Sequence, residues 1–202
     1  MKVYKFFKDG EPKFHDAKFY RDRPVSDHIH EVAHRERLLR TCGEIEYLFR
    51  IDPALKSLTD LGAGNGGLLN ELKGVVQKAV GYDLSPLAVE DGKKRYGVDL
   101  RLLDFVNEFE KVEVGDVICM NETLEHLVDP WAVLEKVQKT KAKWVVASVP
   151  AGENAERHYE FHLWAWEPPS FGHMFRSLGF EVLTHYVLGL VGTQYLVARC
   201  SR

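Results

Sequence analysis

Between Ser57 and Asp83 the chain alternates strand-like and turn-like chemistry in a way that few folds accommodate. A short apolar run ends on Asp60. The bend Gly62-Ala63-Gly64-Asn65-Gly66-Gly67 follows and opens into a helix-like run marked by Leu68, Leu69 and Leu72. A second apolar run, Ala79-Val80-Gly81-Tyr82, ends on Asp83. Glycines let the backbone bend sharply and let a ligand approach its amides. A carboxylate closing the second strand is placed to accept both hydroxyls of a ribose. The stretch describes a nucleoside pocket on a doubly wound sheet.

The alternation continues downstream. Strands are expected at Ser57–Leu61, Ala79–Asp83, Leu100–Leu103, Val117–Asn121 and Trp144–Ser148. Helices are expected at about Gly67–Lys73, Pro86–Arg95, Trp131–Gln138 and Pro169–Leu178. Strands separated by helices argue for a parallel α/β sheet. The ending differs, because Phe180–Leu188 and Thr193–Cys200 are both strand-like and only Gly189-Leu-Val-Gly192 joins them. So short a link makes a hairpin, which puts one strand antiparallel. The predicted fold class is therefore α/β: a single doubly wound, mostly parallel seven-stranded sheet with a C-terminal antiparallel hairpin. Ahead of it, residues 1 to about 26 mix aromatics and charges and read as an arm or lid. Asp27 is placed to cap a helix running to about Phe49. Residues 1–52 then form an N-terminal arm and helix on the substrate side, and 53–202 the core of the same domain.

Composition narrows the function classes. A chain of 202 residues is long enough for one sizeable core. A net charge of −3 gives no global basic field for nucleic acid, which leaves only a local basic patch to that class of partner. The three cysteines, Cys42, Cys119 and Cys200, have neither disulfide nor zinc spacing. The first residues lack the apolar stretch of a signal peptide, and no eighteen-residue apolar run suggests a membrane span. A reducing, cytoplasmic setting is the expectation.

The glycines alone leave two nucleosides open. Gly62, Gly64 and Gly67 satisfy the dinucleotide pattern G-x-G-x-x-G, with Asp83 near the position of a ribose-binding acid. Gly62, Gly64 and Gly66 give the tighter G-x-G-x-G, and Asp60 stands two residues before it, placed to face an ammonium group. The stretch resembles motif I of class I S-adenosylmethionine-dependent methyltransferases, and the likeness continues to about Val149. Gly81-Tyr82-Asp83-Leu84-Ser85 resembles the family's ribose-binding motif. Leu102-Leu103-Asp104-Phe105 resembles its adenine-contacting motif. Asn121-Glu122-Thr123-Leu124-Glu125-His126-Leu127-Val128-Asp129-Pro130 resembles its fourth-strand motif, E-x-L-E-H-x-x-D-P. The resemblance implies S-adenosylmethionine as cofactor. Asp60, Gly62, Gly64 and Gly66 would hold its methionine part, Asp83 and Leu84 its ribose, and Asp104 and Phe105 its adenine, with Asn121 at the next strand end.

Methyl transfer needs an aligned nucleophile, and an oxygen or nitrogen carrying a proton also needs a base. His126 and Glu122 are the candidate catalytic residues, since histidine titrates near neutrality. His158, His162, Trp164 and Trp166, in an aromatic segment after the fifth strand, are the candidate acceptor contacts. No metal is required on this reading. An alternative keeps one: Glu122, Glu125 and His126 have helical spacing, and with His162 they would offer two carboxylates and two imidazoles to a divalent cation. That set resembles the small-RNA 3′-terminal 2′-O-methyltransferases (the Hen family). His30 and His34, at i and i+4 with His28 nearby, form another pair able to bind metal, though a solvated helix face explains them as well. The leading expectation is O- or N-methylation of a small or modest-sized acceptor. Two alternatives are a metal-assisted 2′-O-methyltransferase of RNA 3′ ends and a non-catalytic cofactor-binding regulator. A nicotinamide-dependent oxidoreductase would use the same glycine turn but is disfavoured by Asp60 and the terminal hairpin.

Overall fold

The computed structural model describes residues 1–7, 32–189 and 192–201. The expected helix start at Asp27, together with His28 and His30, lies outside the described residues. Strand β1 (Val3–Lys5) precedes helix α1 (Val32–Ile51). Then follow β2 (Ser57–Leu61), α2 (Gly67–Glu71), β3 (Lys78–Asp83), α3 (Pro86–Tyr96) and β4 (Leu100–Leu102). Next come β5 (Val117–Asn121), α4 (Pro130–Gln138), β6 (Trp144–Pro150), β7 (Trp164–Trp166), α5 (Pro168–Ser177), β8 (Glu181–Leu188) and β9 (Thr193–Arg199).

The main sheet has seven strands in the order β4-β3-β2-β5-β6-β9-β8. Neighbours from β4 to β6 pair in parallel, and β9 runs antiparallel to both β6 and β8. The expected doubly wound sheet with its terminal hairpin is what the chain forms. Its inner strands read as unbroken apolar runs because both faces are covered. Along β5 the side chains alternate between two cores. Val117 and Cys119 pack with Leu38, Ile45, Leu58 and Leu72 from the side of α1 and α2, whereas Ile118 and Met120 pack with Val133, Leu134, Phe171 and Phe175 from α4 and α5. Leu58 is completely buried, so Leu58→Ala should cost about 2–5 kcal/mol.

Local chemistry sets the helix ends. Ser85 caps α3 through its hydroxyl, which accepts from the Ala88 amide, and Gly97 closes that helix in the left-handed region. Asp129 caps α4, and Pro130 occupies its first turn.

One element is absent from the sequence expectation. β1 pairs antiparallel with β7, Val3 opposite Trp166 and Lys5 opposite Trp164. Part of the expected arm and part of the expected aromatic loop are thus a small second sheet. Trp164-Ala165-Trp166 is too short to show a period, and its partner lies far away in sequence. Among the described residues no helix is long and apolar enough to cross a membrane.

Candidate active site

The carboxyl ends of β2, β3 and β5 meet at one edge of the sheet, where open α/β sheets bind ligands. After β2 the backbone turns through Gly62, Gly64 and Gly66, all with positive φ (82°, 54° and 77°). At Gly62 the turn also requires close approach, for a Cβ there would sit 2.4 Å from the Thr123 hydroxyl oxygen. A Cβ on Gly64 would meet nothing within 4 Å, so the turn opens to free space at that residue. Gly62 and Ala63 donate to the Tyr82 carbonyl, and Gly64 donates to Asp83 Oδ2 at 2.7 Å. The other Asp83 oxygen accepts from the Ser85 amide at 2.8 Å. These bonds fix the carboxylate at the mouth of the turn, while burial pushes its pKa up.

Asp60 is 2 % exposed, and its Oδ1 has no hydrogen-bond partner. Burial pushes this carboxyl up to about 7; a hydrogen bond from Cys119 opposes the shift and the nearby Asp83 adds to it. A buried acceptor with nothing to accept from is costly. It fits a cationic group arriving beside the glycine amides.

At the end of β4, Asp104 makes a tight cap. Its Oδ1 accepts from the Val106 and Asn107 amides and its Oδ2 from the Asn107 side chain. Phe105 is a core side chain at 4 % exposure, which leaves only its backbone for a ligand. Leu84 is half-buried beside Asp83.

The segment after β5 corrects the expected helical face. Only Leu124–His126 form a single 3₁₀ turn, and Glu122 stands outside it with φ 51°, a left-handed conformation that costs a non-glycine residue about 1–3 kcal/mol. Glu122 therefore does not share the turn that carries Glu125 and His126. Its Oε2 accepts from Arg37 Nη1 at 2.8 Å, and its Oε1 accepts from the Ser148 hydroxyl at 3.1 Å. Arg37 also contacts His34. Burial raises the Glu122 pKa and Arg37 opposes it. Asn121 Oδ1 accepts from Thr41 at 2.6 Å and from Ser148 at 2.8 Å. The end of β5 is thereby tied to both α1 and β6.

Glu125, His126 and His162 do converge. One carboxylate oxygen and one nitrogen from each ring lie within 4.8 Å of one another, a spacing that could hold a cation. His126 Nδ1 lies 3.1 Å from the Phe161 carbonyl, and His162 Nδ1 lies 2.7 Å from Glu153 Oε2. Each acceptor assigns the proton to Nδ1 and the lone pair to Nε2. Glu125 is completely buried with neither carboxylate oxygen hydrogen-bonded, and its pKa is driven well up by burial and then by Glu122.

The remaining aromatic candidates separate from this group. Trp166 is 1 % exposed and packs on Phe171, so it is a core residue rather than an acceptor contact. The Trp164 indole donates to the Leu127 carbonyl at 2.9 Å and packs edge-on against Trp131, which also gives it a structural place. His158 is exposed and stacks on Phe6 with ring centroids 3.8 Å apart. The sequence reading missed Arg37, Thr41, Ser148 and Glu153. Each belongs to no motif; Arg37, Thr41 and Ser148 matter through partners distant in the chain, and Glu153 through His162 nine residues on.

Comparison with known proteins agrees with this architecture. N-methyltransferase NodS from Bradyrhizobium japonicum, solved with S-adenosyl-L-homocysteine, superposes with TM-score 0.71 at 13% identity over 94% of this chain and 98% of its own. Magnesium protoporphyrin IX methyltransferase ChlM from Synechocystis gives 0.66 at 14% identity over 91% and 92%. The methyltransferase domain of a bacterial Hen1 (CtHen1) gives 0.63 at 21% identity over 82% and 100%. At these identities the likeness is one of fold. No curated protein matches the sequence. Residues 32–185, however, match the family model described as a methyltransferase domain, which takes in every motif above, and the chain belongs to that family.

Proposed function

We propose that this methyltransferase takes its methyl group from S-adenosylmethionine and delivers it to an oxygen or nitrogen of a small or modest-sized acceptor. The observation that carries the cofactor reading is the unpartnered, buried Asp60 oxygen beside the left-handed glycine turn. An ammonium group satisfies that carboxylate. Bound here, the cofactor supplies an electrophilic methyl on sulfur. The protein's part is alignment. Asp83, fixed by the Gly64 and Ser85 amides, takes the ribose hydroxyls next to Leu84. The Phe105 amide and Asp104 lie along the adenine edge, and Asn121 closes the floor. His126 stands past the end of β5 as the base for the acceptor, and Glu122, braced by Arg37, walls the same space.

Calorimetry with S-adenosylhomocysteine and with NAD tests the reading. S-adenosylhomocysteine should bind and NAD should not; the reverse would sink it. Asp83→Ala should weaken S-adenosylhomocysteine about tenfold or more, since a charge-assisted partner is lost. A second reading is favoured by the convergence of Glu125, His126 and His162: a divalent cation there would assist methylation of a hydroxyl, as in an RNA 3′ end. The Arg37–Glu122 pair takes Glu122 out of that ligand set. Activity that survives a chelator and Glu125→Gln would exclude this reading.

A further inference from the structure

Most of the buried charge on the acceptor side is carboxylate. The charge of Glu153 reaches both Glu122 and Glu125, that of Glu122 reaches Glu125, and Arg37 is the guanidinium that opposes them. Glu122 is already satisfied by Arg37 and Ser148, and Glu153 by His162. Glu125 is left over. Its side chain is fully buried, neither oxygen has a partner, and one oxygen lies within 4.8 Å of nitrogens on His126 and His162. Burying an unpaired carboxyl costs on the order of several kcal/mol unless a cation or donor reaches it.

The surroundings narrow the kind of cation. Aromatic rings cluster edge to face around the two histidines: His126 to His162 at 4.8 Å, Tyr159 to His162 at 5.1 Å and Tyr159 to Phe161 at 5.1 Å. Tyr159 is 48 % exposed, so this ring cluster reaches the protein surface. Rings around a buried carboxylate are the chemistry that recognises an organic ammonium. Lysine or arginine clusters, which a polyphosphate chain would need, do not appear among the described residues of this wall.

Resting on the cofactor reading above, we infer that the acceptor is an amine that enters as an ammonium ion, held by Glu125 and deprotonated by the His162–Glu153 pair, which for such a substrate takes over the base's part given above to His126. The proton passes to His162 Nε2, while Glu153 holds the opposite ring nitrogen and stabilises the resulting imidazolium. The freed nitrogen lone pair forms the N–C bond as the S–C bond breaks, and the sulfur keeps that electron pair as a neutral thioether. Glu125 touches the substrate; Glu153 acts through His162 and is a positioning residue.

The experiment incubates the purified full chain with methyl-labelled S-adenosylmethionine and an ultrafiltered, low-molecular-weight extract of the cells that make it. Calorimetry with S-adenosylhomocysteine runs in parallel. The label should appear in a base-stable product retained on a cation exchanger at neutral pH. Glu125→Gln should lower kcat/KM about tenfold or more through KM, with S-adenosylhomocysteine affinity unchanged. Glu125→Asp should recover part of that loss. Glu153→Gln should lower kcat and move its pH profile. A neutral or anionic product, or no transfer to the extract, overturns the inference. So does transfer abolished by EDTA and restored by Mn²⁺, which would give Glu125 to a metal. Failure of S-adenosylhomocysteine to bind would bring down the cofactor reading itself; binding without a cationic product brings down this inference alone.

Discussion

The two halves of the site are built by different means. The proposed methionine- and ribose-binding part, Asp60 to Asp83, is contiguous in sequence, and its geometry comes from backbone: three left-handed glycines, amides aimed at Asp83, and a carboxyl buried at a strand end. The proposed acceptor half draws on α1, the end of β5, β6 and the segment before β7, through side-chain pairs such as Arg37–Glu122, Thr41–Asn121 and Glu153–His162. A backbone cradle tolerates no Cβ where it is tight, whereas a side-chain wall tolerates substitution as long as charges stay paired.

Four measurements would break or sharpen that contrast. The largest effect is expected at the seam. Gly62→Ala puts a methyl 2.4 Å from the Thr123 hydroxyl at φ 82°, so urea denaturation should show a loss of about 3 kcal/mol or more, with cofactor binding lost too. A mild effect would mean that Thr123 moves freely and the halves are not coupled. Next is Arg37→Met, which strands Glu122. The expected loss is about 3 kcal/mol, the lower end for a broken buried pair because both side chains keep 17% exposure. The double variant Arg37→Met, Glu122→Gln should recover most of it in a thermodynamic cycle.

The third measurement concerns Asp60. Its pKa is raised from the ordinary 3.8 to about 7 in the folded protein. Stability from this group is fully present below about pH 4, and it is lost as the pH rises through about 7, because the unfolded chain ionises first. Asp60→Asn should flatten urea stability across that window. Below about pH 7, binding of a ligand with an ammonium group should release a proton, measurable as buffer-dependent heat. The variant should abolish that release. The smallest effect is expected at Gly64. Gly64→Ala meets no atom and should cost only about 1 kcal/mol, from its φ of 54°, with a larger proportional loss in S-adenosylhomocysteine affinity if the Gly64 amide orients Asp83 for the ligand.

Much of the fold was legible because its signals are local. Apolar runs of strand length, Ser and Asp before the prolines of α3 and α4, and the short link before β9 each fix structure within a few residues. The β1–β7 ladder escaped because pairing between distant three-residue strands leaves no periodic trace. Trp166 was read as an acceptor contact from its place in an aromatic segment after the fifth strand, and burial decided otherwise. The helical face of Glu122, Glu125 and His126 failed at one residue, where Glu122 turns left-handed to reach Arg37.

The amino-acid sequence by itself determined the doubly wound sheet, the glycine turn, the acids at the ends of β2 and β3, and the family. Those features rest on backbone conformations and strand periods that neighbouring residues impose on one another. Only the tertiary structure decided which acids are paired, which is left alone and which histidines meet. Charge pairing and desolvation depend on distance through space, and α1, β5 and the segment around Glu153 and His162 come together only when the sheet is folded.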